Sequence, residues 1–246
     1  MATATEDDAL ILETQIARTY TMRGEFERAL EILRGLEPRM ATACAEARVR
    51  AGLETGRCYC SATHPPETQT PEAKERARAA YLEAFELAKR EGLDGLAIDA
   101  LHMLGFVDTE PADQLKWARA ALEMVETSSQ PAAKKWEASL RNNIGYALYE
   151  LGRYEEALAE YRQAAALREL GTNEEAKRIA RWAIAWTLRA LGRLDEALEG
   201  QLSLERECEA ANAPDVFVFE ELELLYRAKG DEETARRYAD RRKVMA

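Results

Sequence analysis

The sequence predicts an all-α protein, an α-solenoid of about six helix pairs, on three observations. A small residue, a glycine and a second small residue recur at one fixed spacing, as in Gly145, Gly152 and Ala157. The helix-joining glycines recur about 40 residues apart in the second half of the chain. No long stretch alternates between polar and apolar residues as a strand would. Since each helix pair must cover the hydrophobic face of the next, we expect a single superhelical domain over residues 1–246.

The repeated spacing has a physical reason. Small residues on neighbouring helices let the two backbones approach closely, and glycine adopts the left-handed conformation needed in the turn between them. The pattern occurs as Ala17, Gly24 and Ala29; as Gly145, Gly152 and Ala157; as Ala185, Gly192 and Ala197; and as Glu223, Gly230 and Ala235. In the last of these a carboxylate stands where a small residue is expected.

The helix pairs follow one another along the chain. The helical spacing of apolar residues assigns them to residues 7–37, 41–91, 93–127, 132–171, 173–212 and 214–246. Pro38 is expected to close the first pair. In the second pair, Thr70 is the expected N-cap of the partner helix, and Pro71 suits its first helical position. A polar, proline-bearing loop is inserted before that helix at residues 61–70.

The later pairs have less uniform junctions. The third pair is joined by a turn at residues 108–111 that contains no glycine. Asn173 or Thr172 is expected to cap the fifth pair, and Pro214 to start the sixth. The run 216–219 is rich in strand-forming residues, but apolar residues at helical spacing follow it. We therefore assign that run to the start of a helix.

Composition excludes several classes of partner. The 246 residues include 34 basic and 45 acidic side chains, which gives a formal net charge of −11. This balance argues against binding to nucleic acid, which needs a concentrated basic surface. No run approaches the roughly 18 apolar residues of a membrane helix. The N-terminal residues lack the basic and apolar regions of a secretory signal. We expect a soluble, cytoplasmic protein that does not bind membranes.

The four cysteines, at positions 44, 58, 60 and 208, are most simply free thiols in such a chain. Cys58 and Cys60, together with His64, raise the alternative of a metal site. On a helix these two thiols point about 200° apart, because each residue turns the helix by roughly 100°. They share a metal only if the helix has already ended. No zinc-type spacing or phosphate-binding glycine loop is present, so we expect no metal and no cofactor.

The fourth helix pair carries a resemblance to a known family. Its pattern of small, large and aromatic residues resembles that of tetratricopeptide repeats, with Ile144, Gly145, Leu148, Ala157, Tyr161 and Ala164 in the matching places. The first, fifth and sixth pairs are similar, and the resemblance extends over about the whole chain. The units are longer than the family's usual length of about 34 residues. The resemblance implies a right-handed superhelix whose first helices line a concave, peptide-binding groove.

That resemblance selects candidate site residues. On each first helix, the positions one and four places after the large anchor are expected to face the groove. Two tryptophans one turn apart and two tyrosines would expose a large apolar surface there, which usually marks an interaction site. The candidate ligand-binding residues are Arg57, Asp99, His102, Asn142, Asn143, Tyr146, Tyr149, Trp182, Trp186, Arg189, Glu220 and Arg227. The same spacing places Leu53 and Ile98 on this face.

Alternatives stay open for several of these side chains. Trp182 and Trp186 either line the groove or pack between neighbouring helix pairs. The amides of Asn142 and its neighbour either bond a peptide backbone or face solvent at the start of a helix. His102, with Asp99 one turn earlier, is either an oriented catalytic base or a hydrogen-bonding histidine of the groove.

The expected function is a non-catalytic scaffold that binds a peptide or partner segment in its groove. The alternative is a sensor of a short signalling peptide or small molecule that acts through a separate effector. A specialised clamp for a C-terminal carboxylate is disfavoured, since only Arg57 and Arg189 would supply its cations. An enzyme is disfavoured, because no convincing nucleophile or cofactor motif accompanies His102. The oligomeric state is not decided by the sequence.

Overall fold

The computed structural model describes residues 5–245, and these residues form helices without a single strand among them. The predicted all-α fold class is confirmed. The α-helices are α1 (Glu6–Met22), α2 (Phe26–Met40), α3 (Ala45–Tyr59), α4 (Pro71–Arg90), α5 (Asp94–Val107), α6 (Pro111–Thr127), α7 (Pro131–Lys134), α8 (Glu137–Glu150), α9 (Tyr154–Glu169), α10 (Glu174–Ala190), α11 (Leu194–Ala210), α12 (Val216–Ala228) and α13 (Glu232–Met245).

A glycine in the left-handed conformation joins the two helices of a pair. Between α8 and α9, Gly152 has φ +73°. Its N–H donates to the Tyr149 carbonyl at 2.8 Å, and the next N–H, of Arg153, donates to the Leu148 carbonyl at 2.9 Å. These bonds satisfy carbonyls that the end of a helix leaves free. The predicted glycines 24, 192 and 230 also have positive φ, and so does Gly92, which the repeat pattern did not single out.

Close packing within a pair depends on the small residues that the sequence singles out. A Cβ atom added to Gly145 would lie 2.8 Å from the ring of Tyr161, which is buried in the partner helix. Gly56 faces the ring of Tyr81 in the same way. In both cases the bare glycine backbone leaves room for a buried tyrosine, so the two helices approach more closely than any other residue would allow.

The chain divides into two compact units, one ending at Leu140 and the other beginning at Arg141. We call them the first and second units. In the first unit, Leu10, Leu30, Leu33 and Leu36 form a buried cluster between α1, α2 and α3. In the second unit, one cluster contains Leu158, Leu188 and Leu225, and another contains Leu204, Val218 and Leu222. A single superhelical domain over the whole chain stays a prediction.

Several helix ends differ from the predicted ones. The helix α2 continues through Pro38 to Met40, because the proline lies in its last turn, where few later bonds depend on it. The helix α3 begins at Ala45 rather than near Ala41. Residues 131–134, expected to open the fourth pair, form the separate helix α7.

The expected caps are present. Thr70 accepts a hydrogen bond from the Ala73 N–H at 3.2 Å, and Asn173 accepts one from the Ala176 N–H at 3.0 Å. Each side chain thus satisfies an N–H that would otherwise lack a partner in the first helical turn. In the described part of the chain, no helix combines the length and the apolar character that crossing a membrane requires.

Candidate functional site

Aromatic side chains from three helices of the second unit form a continuous row. The ring of Tyr149, on α8, stacks on Trp186, on α10, with ring centroids 3.4 Å apart. Trp186 in turn stacks on Trp182 at 5.5 Å, and Trp182 meets the edge of Phe217, at the start of α12, at 6.4 Å. Tyr146 lies beside Trp186 at 6.4 Å. We call these five residues the aromatic row.

Local sequence explains how the row is held. Trp182 and Trp186 are one helical turn apart on α10, so their indoles lie on one face. Ala183 and Thr187, each one residue after a tryptophan, are buried beside that face. The indole Nε1–H of Trp182 donates to the Phe217 carbonyl at 3.2 Å. That bond ties α10 to the first turn of α12.

The row remains open to solvent. Phe217 is 60 % exposed and Tyr146 is 47 % exposed, and Ile179, one turn before Trp182 on α10, is 49 % exposed. Trp182, Trp186 and Tyr149 are partly buried. The two indoles therefore pack on aromatic rings from neighbouring helices and also keep part of their surface accessible. Whether the indoles line a binding groove stays a prediction.

A bidentate ion pair lies next to the row. The Arg189 guanidinium donates to the two carboxylate oxygens of Glu221 at 2.7 and 3.0 Å, and Glu221 is buried. The hydrogen bond from Arg189 to Glu221 raises the pKa of the guanidinium, so Arg189 stays charged at neutral pH. Burial raises the pKa of the Tyr149 phenol, against the effect of the nearby Arg189 charge. Tyr149 is therefore a neutral hydroxyl at neutral pH.

The remaining predicted residues of the second unit carry polar groups. Glu220 lies 3.3 Å from Arg242, and Arg227 lies 3.0 Å from Glu223. Asn142 is partly buried, and its Oδ1 accepts no hydrogen bond from the part of the chain that is described. Asn143 is also partly buried. The structure thus places the predicted residues of α8, α10 and α12 in one unit, although it does not test whether they bind a ligand.

The predicted residues of the first unit form a different arrangement. Arg57 is 6 % exposed, and its guanidinium contacts Glu54 at 2.6 Å and Asp99 at 2.5 Å. Arg18 adds a contact to Glu54 at 3.2 Å. Arg57 and Asp99 are therefore committed to each other, and neither presents a free charged group to a ligand. Glu54 lies one turn before Arg57 on α3, whereas Arg18 comes from α1, so only the tertiary structure brings Arg18 into this cluster.

Two further corrections concern apolar positions of the first unit. Leu53 is 1 % exposed and Ile98 is 0 % exposed, so their assignment to a groove surface is wrong. Neighbouring helices of the first unit bury both side chains. The sequence pattern therefore assigned too wide a face of α3 and α5 to the groove. Only tertiary contacts distinguish these positions from their exposed equivalents.

His102 lies between two aromatic rings. Its imidazole centroid is 5.2 Å from the ring of Phe106 and 5.2 Å from that of Trp136. Burial lowers the pKa of His102, although the charge of Asp99 acts in the opposite direction. The imidazole is therefore neutral at neutral pH and packs as an aromatic side chain.

The segment that carries most of the aromatic row is similar to a known family. Residues 136–199, which include the whole of α8, α9 and α10 and the start of α11, match the tetratricopeptide repeat family. This segment is built of tetratricopeptide-like repeats. The matched segment contains four of the five residues of the aromatic row and the whole of the Gly145–Tyr161 contact. No curated protein sequence matches the chain.

Solved structures of other repeat proteins share the fold. One is a signal transduction ATPase with numerous domains from Pyrococcus horikoshii, which has a tetratricopeptide repeat sensor. It matches with a TM-score of 0.73 at 14 % identity, over 98 % of this chain and 37 % of that one. The nearly identical TPR-like repeats of a putative kinesin light chain from Podosopora anserina match with a TM-score of 0.60 at 16 % identity. The match covers 85 % of this chain and 99 % of that one. BtubC from P. vanneervenii gives 0.51 at 16 % identity, over 92 % and 75 %. At these identities the likeness shows the fold alone.

His64 holds the loop that is inserted between α3 and α4. Its Nε2–H donates to the Cys58 carbonyl at 3.1 Å, so Nδ1, 3.0 Å from the Ser61 hydroxyl, is the acceptor of the neutral ring. The ring stacks on Phe26 at 3.7 Å. Among the described residues, no three His, Cys, Asp or Glu side chains are grouped to hold a metal ion. His64 acts here as a packing residue of the turn that follows α3.

Sequence reasoning missed one apolar residue beside the row. Ile179 lies three residues before Trp182 and shares its face of α10, so helical spacing was a sufficient signal. The groove-facing positions were counted forward from the large anchor of each helix, and Ile179 lies before that anchor on α10.

Proposed function

We propose that the protein is a non-catalytic interaction module that binds an extended peptide, or a segment of a partner protein, along the aromatic row. The observation that carries the proposal is the exposure of this row, since Phe217 and Tyr146 are about half open to solvent. Tetratricopeptide repeats are generally protein-interaction folds rather than enzymes. An open aromatic surface on such a fold is where a partner gains most from burial.

The aromatic row is suited to anchor a partner. Its rings are held by stacking, and the indole of Trp182 is fixed by a hydrogen bond to the Phe217 carbonyl. These rings lose little conformational entropy when a partner covers them. Most of the free energy of burying apolar area therefore contributes to affinity. Hot spots of this kind are enriched in tryptophan and tyrosine.

The polar groups beside the row are suited to orient a partner rather than to anchor it. Arg189 is already paired with Glu221, so it offers only its remaining N–H groups and a local charge. Glu220 and Arg227 are partly exposed and keep their own ion pairs. Charged groups at the edge of an interface affect specificity and the association rate more than affinity.

The test is selection of peptides from a random display library on the immobilised full chain. Binding of the recovered peptides is then measured for the wild type and for Trp186→Ala. We expect the variant to bind about 30-fold more weakly, a loss of about 2 kcal/mol.

The matched control is Trp117→Ala, which removes an indole from the first unit. Circular dichroism must show that both variants are folded. Peptides that bind Trp186→Ala and the double variant Trp182→Ala/Trp186→Ala as tightly as the wild type would reject the proposal.

A further inference from the structure

A small apolar pocket opens beside the aromatic row. It has a volume of about 250 Å³ and lies between α10, α11 and the start of α12. Its apolar lining consists of Ile179, Trp182, Leu204, Cys208, Phe217 and Val218. Trp182 and Phe217 belong to both the pocket and the row, so a segment that lies along the row passes the pocket entrance.

The pocket has a closed floor and an open rim. Leu204 is 1 % exposed, and Cys208 and Val218 are each 2 % exposed, so these three residues form the floor. Ile179 and Phe217 are exposed at the rim. Pockets for whole small molecules usually measure about 300–1,000 Å³. The smaller volume found here fits one inserted side chain better than a complete small molecule.

One cation at this pocket has no counter-ion. Arg178 lines the pocket, and among the described residues no carboxylate lies within 4.0 Å of its guanidinium. By contrast, Arg181, one turn later on α10, makes a bidentate contact with Glu207 at 2.6 and 2.7 Å. Arg189 is paired in the same manner with Glu221. Arg178 is thus the arginine of α10 that makes no close ion pair with the described residues, and its charge acts only at longer range, on Glu174.

The pocket also has an acidic residue, but that residue is already in use. Asp215 lines the pocket from the N-terminus of α12, and its Oδ1 accepts a hydrogen bond from the Phe217 N–H at 2.8 Å. It is the N-cap of α12 and stabilises the first turn of that helix. Arg178 lies on α10, whereas Asp215 caps α12. A bound segment therefore meets a cation on the α10 side of the pocket.

We propose that this pocket takes a leucine- or phenylalanine-sized side chain of the bound segment, and that Arg178 pairs with an acidic side chain next to it. The proposal rests on the function proposed above and specifies the partner: an apolar anchor followed or preceded closely by Asp or Glu. An arginine beside an apolar cleft attracts a carboxylate strongly, since the neighbouring rings exclude water from one side. Peptides with a basic residue at that place are disfavoured by the same charge.

The experiment repeats the library selection on the full chain with variants at the pocket. From the wild type we expect peptides in which a large apolar residue lies within a few positions of Asp or Glu. From Arg178→Glu we expect peptides with Lys or Arg in that place, and about tenfold weaker binding of the wild-type peptides. From Ile179→Trp, which narrows the pocket, we expect peptides that lack the large apolar residue.

Two controls make the outcome specific. Arg236→Glu reverses the charge of an exposed arginine on α13, and Leu170→Trp enlarges an apolar side chain that is 86 % exposed. Both are expected to select the wild-type pattern. The same apolar-acidic pattern and unchanged affinities in Arg178→Glu and Ile179→Trp would overturn the pocket proposal. If those peptides are nevertheless lost in Trp182→Ala/Trp186→Ala, binding along the row stands without the pocket. Recovery of no peptide that depends on the row would reject both.

Discussion

The phenol ring of Tyr149 lies flat on the indole of Trp186, with ring centroids 3.4 Å apart and planes inclined by 19°. The two residues come from different helix pairs, α8 and α10. Their stacking therefore joins neighbouring pairs of the second unit and at the same time builds the centre of the aromatic row. One contact has a structural and a proposed binding role, and the two roles are separable by experiment.

The stacking energy is measurable by a double-mutant cycle. We expect Tyr149→Ala and Trp186→Ala to be coupled by about 0.5–1.5 kcal/mol in the free energy of unfolding, because each ring loses its partner when the other is removed. Urea denaturation of the two single variants and the double variant gives this value. Purely additive effects would mean that the two rings do not stabilise each other in solution.

Gly145→Ala is expected to destabilise the second unit by about 1–3 kcal/mol, because the added methyl group would overlap the buried ring of Tyr161. The matched control is Gly105→Ala in α5, where no atom lies within 4 Å of the added Cβ. That change should be neutral or stabilising by about 0.5–1 kcal/mol, since alanine favours helices. Equal effects of the two substitutions on the melting temperature would contradict the close approach of α8 and α9.

Arg57→Met is expected to cost about 3–5 kcal/mol of stability, because it removes the buried cation between Glu54 and Asp99 and leaves them only the more exposed Arg18. The control is Arg193→Met, since Arg193 makes a similar contact to Glu196 at 2.6 Å on an exposed surface. Solvent already screens that pair, so its loss should have little effect. Urea denaturation measures both, and a small effect at Arg57 would show that its network is hydrated in solution.

The pH dependence of stability should report on His64. Burial lowers the pKa of this imidazole in the folded state, and the hydrogen bond to the Cys58 carbonyl opposes the shift only in part. The unfolded chain therefore binds a proton at a higher pH than the folded chain does. The stabilisation is complete above the unfolded pKa of about 6.5, and it is lost as the pH falls through the folded value.

We expect the free energy of unfolding to fall less between pH 7.5 and pH 5.5 in His64→Gln than in the wild type. The other histidine, His102, has a pKa shifted in the same direction, so the His102→Gln variant serves as a comparison. Between these two pH values, the free energy of unfolding should fall least in the double variant His64→Gln/His102→Gln. An unchanged pH dependence in His64→Gln would mean that the ring is hydrated or protonated in the folded protein.

Much of the fold was predictable because it depends on local sequence. The glycine between the helices of a pair, the N-caps at Thr70 and Asn173, and the small residue opposite Tyr161 all act over a few residues or at a fixed repeat distance. Helix ends were less predictable. The helix α2 continues for two residues past Pro38, although a proline usually marks the end of a helix.

The candidate site shows the same division. Helical spacing by itself determined that Trp182 and Trp186 share one face of α10, and that Tyr146 and Tyr149 lie on α8. Tertiary structure alone decided that Tyr149 stacks on Trp186, that Arg57 is buried by Glu54 and Asp99, and that Arg178 is left unpaired at a pocket. The physical reason is that periodicity fixes the direction of a side chain on its own helix, whereas its partners and its exposure depend on which helices pack against it.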